Sequence, residues 1–297
     1  MQRIKLSEKV EFSRIIQGFW RLTDWNVSAQ ETARQIEGCL ERGVTTFDTA
    51  ERYGYGACEE ALGQALKLVS CDRSKYQIVT KTGISWAAPR EDAFGFYDTR
   101  YARIVRSCKE SLRKLGCEYI DLLLIHREDP LLDPWEVAAA FQDLKKEGLI
   151  LEAGVSNFDP FKFNALNHAM GGTLVTNQIE WHPACFEHFR SGMIDLLMEK
   201  KVHPMVWSPL AGGRLFTSQE PTFAAARKKI TEIAQKHGVS ADAVAYAWIL
   251  YHPVGAMPIC GSRKLERLDK AVEALEVQLT HQEWYEIYVS SGQQVLR

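Results

Sequence analysis

Eight short apolar, β-branched runs recur along the chain. Each is followed by a stretch whose apolar residues fall three and four apart. The runs are 14–18 (RIIQG), 44–48 (VTTFD), 77–81 (QIVTK), 120–126 (IDLLLIH), 151–156 (LEAGVS), 174–178 (LVTNQ), 204–208 (PMVWS) and 256–260 (AMPIC). Helical spacing is clearest in 29–40, 104–115, 134–144 and 193–198. Strand alternating with helix implies parallel pairing, because parallel strands need a crossover connection. Eight such units predict an α/β fold of the closed (β/α)8 TIM-barrel type. From Gly18, Asp48, Lys81, His126, Ser156, Gln178, Ser208 and Cys260, successive strand ends lie 30, 33, 45, 30, 22, 30 and 52 residues apart. The two long intervals hold 84–98 and 211–222, both after strand carboxyl ends, where barrel enzymes keep their active sites. An N-terminal hairpin is expected within 5–14, closing the opposite end, and two extra helices within 264–297, the second opening on a Thr280-His281-Gln282-Glu283 capping box.

At 297 residues, length alone leaves one or two domains open; a barrel fits in about 250 as one, so a single domain over 1–297 is expected. The chain is 46% hydrophobic, which excludes collagen-like and disordered classes. With 36 Lys+Arg against 38 Asp+Glu, it has no basic excess for a nucleic-acid partner. Seven cysteines without a C-x-x-C pair argue against a disulfide framework. The charged opening MQRIKLSEKVEF is unlike a signal peptide, and the longest apolar run, 243–251, is far short of a bilayer span. A soluble, cytoplasmic protein is expected, with neither a membrane association nor an obligate protein partner.

Four polar residues stand at or just past consecutive strand ends: Asp48 and Tyr53, then Lys81, then His126. Neighbouring strands lie about 5 Å apart, so these side chains can converge, and a buried charge there demands a partner. A buried Lys beside a Tyr favours the phenolate, an Asp keeps that Lys charged, and a His orients a carbonyl. The set makes Tyr53 a general acid toward a developing alkoxide, while the hydride must come from a cofactor. The same Lys81 also allows a Schiff-base lyase or aldolase. His182, Cys185 and His188 fall three apart but lack a fourth ligand, so no metal is expected. Gly54-Tyr55-Gly56-Ala57-Cys58-Glu59 lacks the third glycine of a dinucleotide fingerprint and follows the second strand, which disfavours a Rossmann fold. Trp20, Trp25, Trp86 and Trp181 fall in expected loops at one barrel face, pointing to an aromatic-walled pocket for an apolar carbonyl substrate.

The block from Phe47 through Asp48-Thr49-Ala50-Glu51-Arg52-Tyr53-Gly54 and on to Glu59-Glu60-Ala61-Leu62-Gly63 resembles the signature of the aldo-keto reductases. So do Val79-Thr80-Lys81, Ile120 to His126, Gly154-Val155-Ser156-Asn157-Phe158, Asn177-Gln178-Ile179-Glu180, Trp207-Ser208-Pro209-Leu210 and Pro258 to Arg263, in order along nearly the whole chain. The opening Gly18-Phe19-Trp20-Arg21-Leu22 is similar to that of bacterial YdhF-type members. The resemblance implies NADPH-dependent reduction of an aldehyde or ketone, with Tyr53 as proton donor, Lys81 and Asp48 tuning it, and His126 orienting the substrate. It implies that Ser156, Asn157 and Gln178 bond the nicotinamide carboxamide and that Trp207 stacks on the ring. Ser208, Leu210, Gly212 and Arg214 would lie along the pyrophosphate, and Gly261, Ser262, Arg263 and Arg267 would face the adenosine end. An Arg there can bond a 2′-phosphate. Two departures stand out: Lys270-Ala271 replaces a Glu-Asn pair whose Asn contacts adenine, and Cys58 replaces a serine. A cofactor-binding regulatory module with little turnover is the alternative that the resemblance leaves open.

Overall fold

The computed structural model describes residues 1–85 and 94–292. Strands β1 (Arg3–Lys5) and β2 (Glu11–Ser13) form the expected antiparallel hairpin. Eight parallel strands then close a barrel: β3 (Ile16–Gly18), β4 (Thr46–Asp48), β5 (Gln77–Thr82), β8 (Ile120–Ile125), β9 (Ile150–Ser156), β10 (Asn177–Glu180), β11 (Met205–Trp207) and β12 (Met257–Cys260). Between β5 and β8 lies a short antiparallel pair, β6 (Ile84–Ser85) with β7 (Phe96–Tyr97). The barrel closes where Ile259 of β12 pairs with Ile16 of β3. The sixth strand sits later than the run 174–178 implies: Leu174 and Val175 are buried in the approach, and pairing begins at Asn177 opposite Val155.

Side chains alternate across each strand. In β8, Leu122 and Leu124 point into the barrel with Ile16, Val79, Met205, Met257 and Ile259, while Leu123 and Ile125 point out toward the helices. Val10 and Phe12 join the inner cluster, so the hairpin plugs the amino-terminal end of the barrel. The interior is therefore a packed core there, and space remains only at the carboxyl ends of the strands.

The helices are α1 (Ala29–Glu41), α2 (Ala57–Leu66), α3 (Tyr101–Leu115), α4 (Pro134–Lys146), α5 (Pro160–Ala169), α6 (Glu187–Arg190), α7 (Met193–Lys200), α8 (Arg214–Thr217), α9 (Pro221–His237), α10 (Ala241–Tyr251), α11 (Leu265–Glu273) and α12 (His281–Ser290). Their starts are written in the sequence. Ser28 with Glu31, and Thr280 with Glu283, form capping boxes, while Asp133-Pro134 and Asp159-Pro160 place a capping carboxylate before a proline at the first helical position. The 52-residue interval is mostly helix and not loop: α9 is an added helix, and α10 is the apolar one laid on the barrel. Of the two tail helices, α11 packs between α10 and α1 and completes the ring, and α12 lies outside it against α9. That outer helix is fastened by a paired stack. Trp248 and Trp284 lie with centroids 5.2 Å apart at 10°, and each indole N–H donates to the other residue's carbonyl, at 3.1 and 3.0 Å. Among the described residues no helix is long and apolar enough to cross a membrane.

Candidate active site

Asp48 ends β4, Lys81 stands next to last in β5, and His126 follows β8, so in-register parallel pairing brings them to one rim. Lys81 is fully buried, and its Nζ donates to Asp48 Oδ1 and Oδ2 at 2.8 and 2.9 Å, to the Thr49 carbonyl at 2.8 Å and to Tyr53 Oη at 3.2 Å. Tyr53 is delivered by a turn in which Gly54, Tyr55 and Gly56 all have positive φ (56°, 54° and 93°). A side chain at Gly54 would meet Thr23 Oγ1 at 2.6 Å and Cys58 Sγ at 2.9 Å, so only glycine fits. The G-x-G of the sequence is thus the device that raises Tyr53. Cys58 ties the turn to the first loop, with its thiol 3.6 Å from both Thr23 Oγ1 and the Trp20 carbonyl. Glu51, directly ahead of the turn, accepts from the Gly83 N–H and from Arg103, fixing the backbone just past Lys81.

The electrostatics follow from this burial. Desolvation by itself would lower Lys81, but the Asp48 carboxylate and the Tyr53 oxygen more than offset it and hold the ammonium above its ordinary value. Burial raises the Tyr53 phenol, Lys81 pulls it back and Asp48 adds to the rise; the net is upward. Lys81 therefore limits the rise without producing the net lowering that the sequence reading expected. His126 lies edge-on to Tyr53 with centroids 5.5 Å apart. Burial, then the charges of Lys81, Arg127 and Arg52, hold its pKa well below the ordinary value, so the imidazole is neutral. Its buried Nδ1 has no partner among the described residues.

Asp48, Tyr53 and His126 lie at one end of a cavity of about 780 Å³, with Lys81 buried behind them, and the cavity includes a groove past Ser156, Asn157, Gln178, Trp207, Ser208, Leu210, Gly212, Gly261, Ser262 and Arg267. The middle of the groove is a wired unit. Trp207 Nε1 donates to Asn157 Oδ1 at 2.9 Å; Asn157 Nδ2 donates to Ser156 Oγ at 2.8 Å and to the His126 carbonyl at 3.3 Å. Ser156 Oγ donates to the Gln178 carbonyl at 2.9 Å, and Gln178 Nε2 donates to Asp48 Oδ1 at 2.8 Å. The groove is thereby hydrogen-bonded directly to the lysine's counter-ion. Backbone strain gathers at the same place: the non-glycine residues Asn157, Ser208 and Ala211 have φ of 62°, 50° and 53°.

Several expected site residues lie elsewhere. Arg214 is outside the lining, paired with Glu220 at 2.7 Å, and Arg263 donates to the Trp25 carbonyl at 3.3 Å. Trp25 packs on Phe19 and does not line the cavity. Trp181 is 1% exposed and meets Phe189, Trp248 and His252 in the outer core. The alternation of β10 explains it: Gln178 faces the cavity, and Ile179 and Trp181 face the helices. Trp86 lies outside the described residues. Of the four tryptophans, only Trp20 is found in the lining among the described residues, 55% exposed beside Tyr53. The lining also holds Tyr55, Ile84 and Trp207 and four charged residues that the sequence did not single out for the site, Arg21, Asp24, Arg52 and Arg127. Asp242 and Tyr246, four apart on α10, line the groove near Arg267 and were missed; their helical spacing beside an apolar run was the available signal. Ala271, in place of the adenine-contacting Asn, is fully buried. Among the described residues no cluster of three or more His, Cys, Asp or Glu is arranged to hold a metal.

Comparison with known proteins agrees with this geometry. The Aldo/keto reductase family model matches residues 14–289. The chain is 43% identical to a 6-dehydroglucose reductase of Agrobacterium fabrum over 97% of each sequence. It is 43% identical to the oxidoreductase YdhF of Escherichia coli over 97% of this chain and 96% of that one. The structure of a glycerol dehydrogenase from Gluconobacter oxydans superposes with a TM-score of 0.86 at 25% identity, covering 99% of this chain and 97% of that one. The chain belongs to the aldo/keto reductase family of oxidoreductases.

Proposed function

We propose that the protein reduces an aldehyde or ketone to the alcohol with NADPH, and that Tyr53 delivers the proton. The observation that carries this is the Asp48–Lys81–Tyr53 hydrogen-bonded set with a neutral His126 at the floor of one cavity. The groove residues fit a dinucleotide. The Arg267 guanidinium has no hydrogen-bond or ion-pair partner among the described residues, and a Cβ at Gly213 or Gly261 would meet nothing within 4 Å, so the backbone there borders open space. Ser208 to Gly213 would run along the pyrophosphate, and Ser262 and Arg267 would take the 2′-phosphate by charge-assisted bonds. Since the amide nitrogens of Asn157 and Gln178 are already committed, the Gln178 oxygen is the group left for the carboxamide. The cofactor supplies the hydride. Tyr53 Oη hands its proton to the carbonyl oxygen as negative charge builds there, and Lys81, fixed by Asp48, stabilises the phenolate left behind. The neutral His126 orients the carbonyl oxygen toward Tyr53.

A Schiff-base reading is disfavoured by Lys81 itself: it is fully buried, and its ammonium protons are held by Asp48 and Thr49. The relative that reduces 6-dehydroglucose supports a sugar-like carbonyl compound as the substrate type. The test is a fluorescence titration with NADPH and NADH followed by a carbonyl panel. Tyr53→Phe is expected to abolish reduction while cofactor binding persists, and turnover retained in that variant refutes the assignment. Weaker NADH than NADPH binding, equalised by Arg267→Ala, is the expected cofactor result; equal binding to the intact protein overturns the 2′-phosphate reading.

A further inference from the structure

Arg127 directly follows His126 and lines the catalytic half of the cavity. Its guanidinium stands 5.7 Å from the centroid of Trp207. Among the described residues no oxygen accepts from any of its N–H groups, and no carboxylate pairs with it. The adjacent Glu128 does not serve: it accepts from the Asp159 N–H and faces Lys162 at 3.6 Å. Two other largely covered arginines are answered by carboxylates, Arg73 by Asp121 at 2.5 Å and Arg103 by Glu51 at 2.9 Å, and the buried Arg14 donates to the Leu250 carbonyl at 3.1 Å. Arg127 is half-buried with a planar fork of five donors and an aromatic face beside it. A guanidinium that lines the catalytic cavity with its donors uncommitted to protein acceptors is available to acceptor oxygens on a ligand. With the carbonyl oxygen at Tyr53 and His126, an arginine lining the same cavity beside Trp207 faces the substituents on the carbonyl carbon.

We propose that Arg127 is a specificity-determining residue that binds an oxygen on the carbon next to the reacting carbonyl, so that the substrates are α-oxygenated carbonyl compounds. This rests on the carbonyl-reductase reading above and adds a cationic group to a cavity that also has Trp20, Tyr55 and Trp207 in its walls. The Coulombic influence of Arg127 on both Tyr53 and His126 agrees with its nearness to the reacting atoms. A hydroxyl and a carboxylate both present acceptor oxygens to a guanidinium fork, and the two sources are separable by charge.

The experiment uses size-matched pairs with NADPH: glyceraldehyde against 2-methylbutanal for neutral hydroxyls, and glyoxylate against 2-methylpropanal for an α-carboxylate. The wild-type protein, Arg127→Met and Arg127→Lys are compared for KM and kcat separately. Arg127→Met is expected to cut kcat/KM for at least one α-oxygenated partner about 10- to 100-fold more than for its hydrocarbon partner, mainly through KM. Arg127→Lys is expected to recover the glyoxylate loss in part and the glyceraldehyde loss little, because a point charge does not reproduce a planar fork. A differential loss for glyoxylate alone assigns an anionic neighbour group, and for glyceraldehyde alone a hydroxyl. Equal losses within both pairs, or a wild-type preference for the hydrocarbons, overturn the proposal. Wild-type protein that binds NADPH yet reduces none of the four overturns the reductase reading itself, and this inference with it.

Discussion

Replacing Asp48 by Asn tests whether the Lys81 charge is held by its carboxylate. Both side chains are buried, with exposures of 0% and 4%, and Nζ lies 2.8 and 2.9 Å from the two carboxylate oxygens. Asn keeps one acceptor oxygen for Lys81 or for Gln178 Nε2, which now share Oδ1 at 2.8 Å, and removes the one carboxylate paired with the ammonium among the described residues. An uncompensated buried charge costs about 3–5 kcal/mol. The pH dependence carries the diagnosis. In the wild type the folded pKa of Lys81 is raised, so its stabilisation is complete below the free-lysine value of about 10.4 and is lost only above it. The wild-type contribution is therefore flat between about pH 6 and 9. In Asp48→Asn, burial is opposed only by the weaker interactions with Tyr53 and the Thr49 carbonyl, and the folded pKa is depressed. The unfolded chain then binds more protons than the native one, so stability rises with pH toward the free-lysine value, by up to about 1.4 kcal/mol per unit. Urea unfolding of both proteins at pH 6, 7, 8 and 9 measures the difference directly. A loss near 4 kcal/mol at pH 7 that shrinks toward pH 9 is expected. A pH-independent loss, or one under about 1 kcal/mol throughout, refutes the reasoning.

The raised phenol of Tyr53 and the lowered imidazole of His126 predict a reduction rate that is level through neutral pH. The proton donor is lost only as pH rises through the raised Tyr53 pKa, so kcat/KM is expected to fall above about pH 10. A break near pH 6.5 would show a titrating His126 and contradict the burial argument. At the far side of the molecule, Trp284→Ala removes one member of the Trp248 stack and the indole bond to the Trp248 carbonyl, while the backbone carbonyl of residue 284 can still accept from Trp248 Nε1. It is expected to cost about 3–5 kcal/mol in urea unfolding while leaving cofactor affinity within about twofold, and a cost below about 1 kcal/mol means that α12 is held by other contacts.

What was legible in the sequence was what local chemistry sets. The strand runs, the capping boxes at Ser28 and Thr280 and the near-regular interval of strand ends implied the barrel, because period and caps depend on neighbours in the chain. Asp48, Tyr53, Lys81 and His126 were identifiable together because each sits where an apolar run stops, and parallel register does the rest. Only the tertiary structure decided partners and directions. Trp181 follows a strand end like any rim residue, yet the parity of β10 turns it outward into the Trp248 cluster. Arg214 and Arg127 both follow strand ends; one found Glu220 and the other has no acceptor among the described residues, a difference no local pattern encodes. Likewise the sign of the Tyr53 shift is a sum of burial against two charges, fixed by depth and distance that exist only after the barrel has closed.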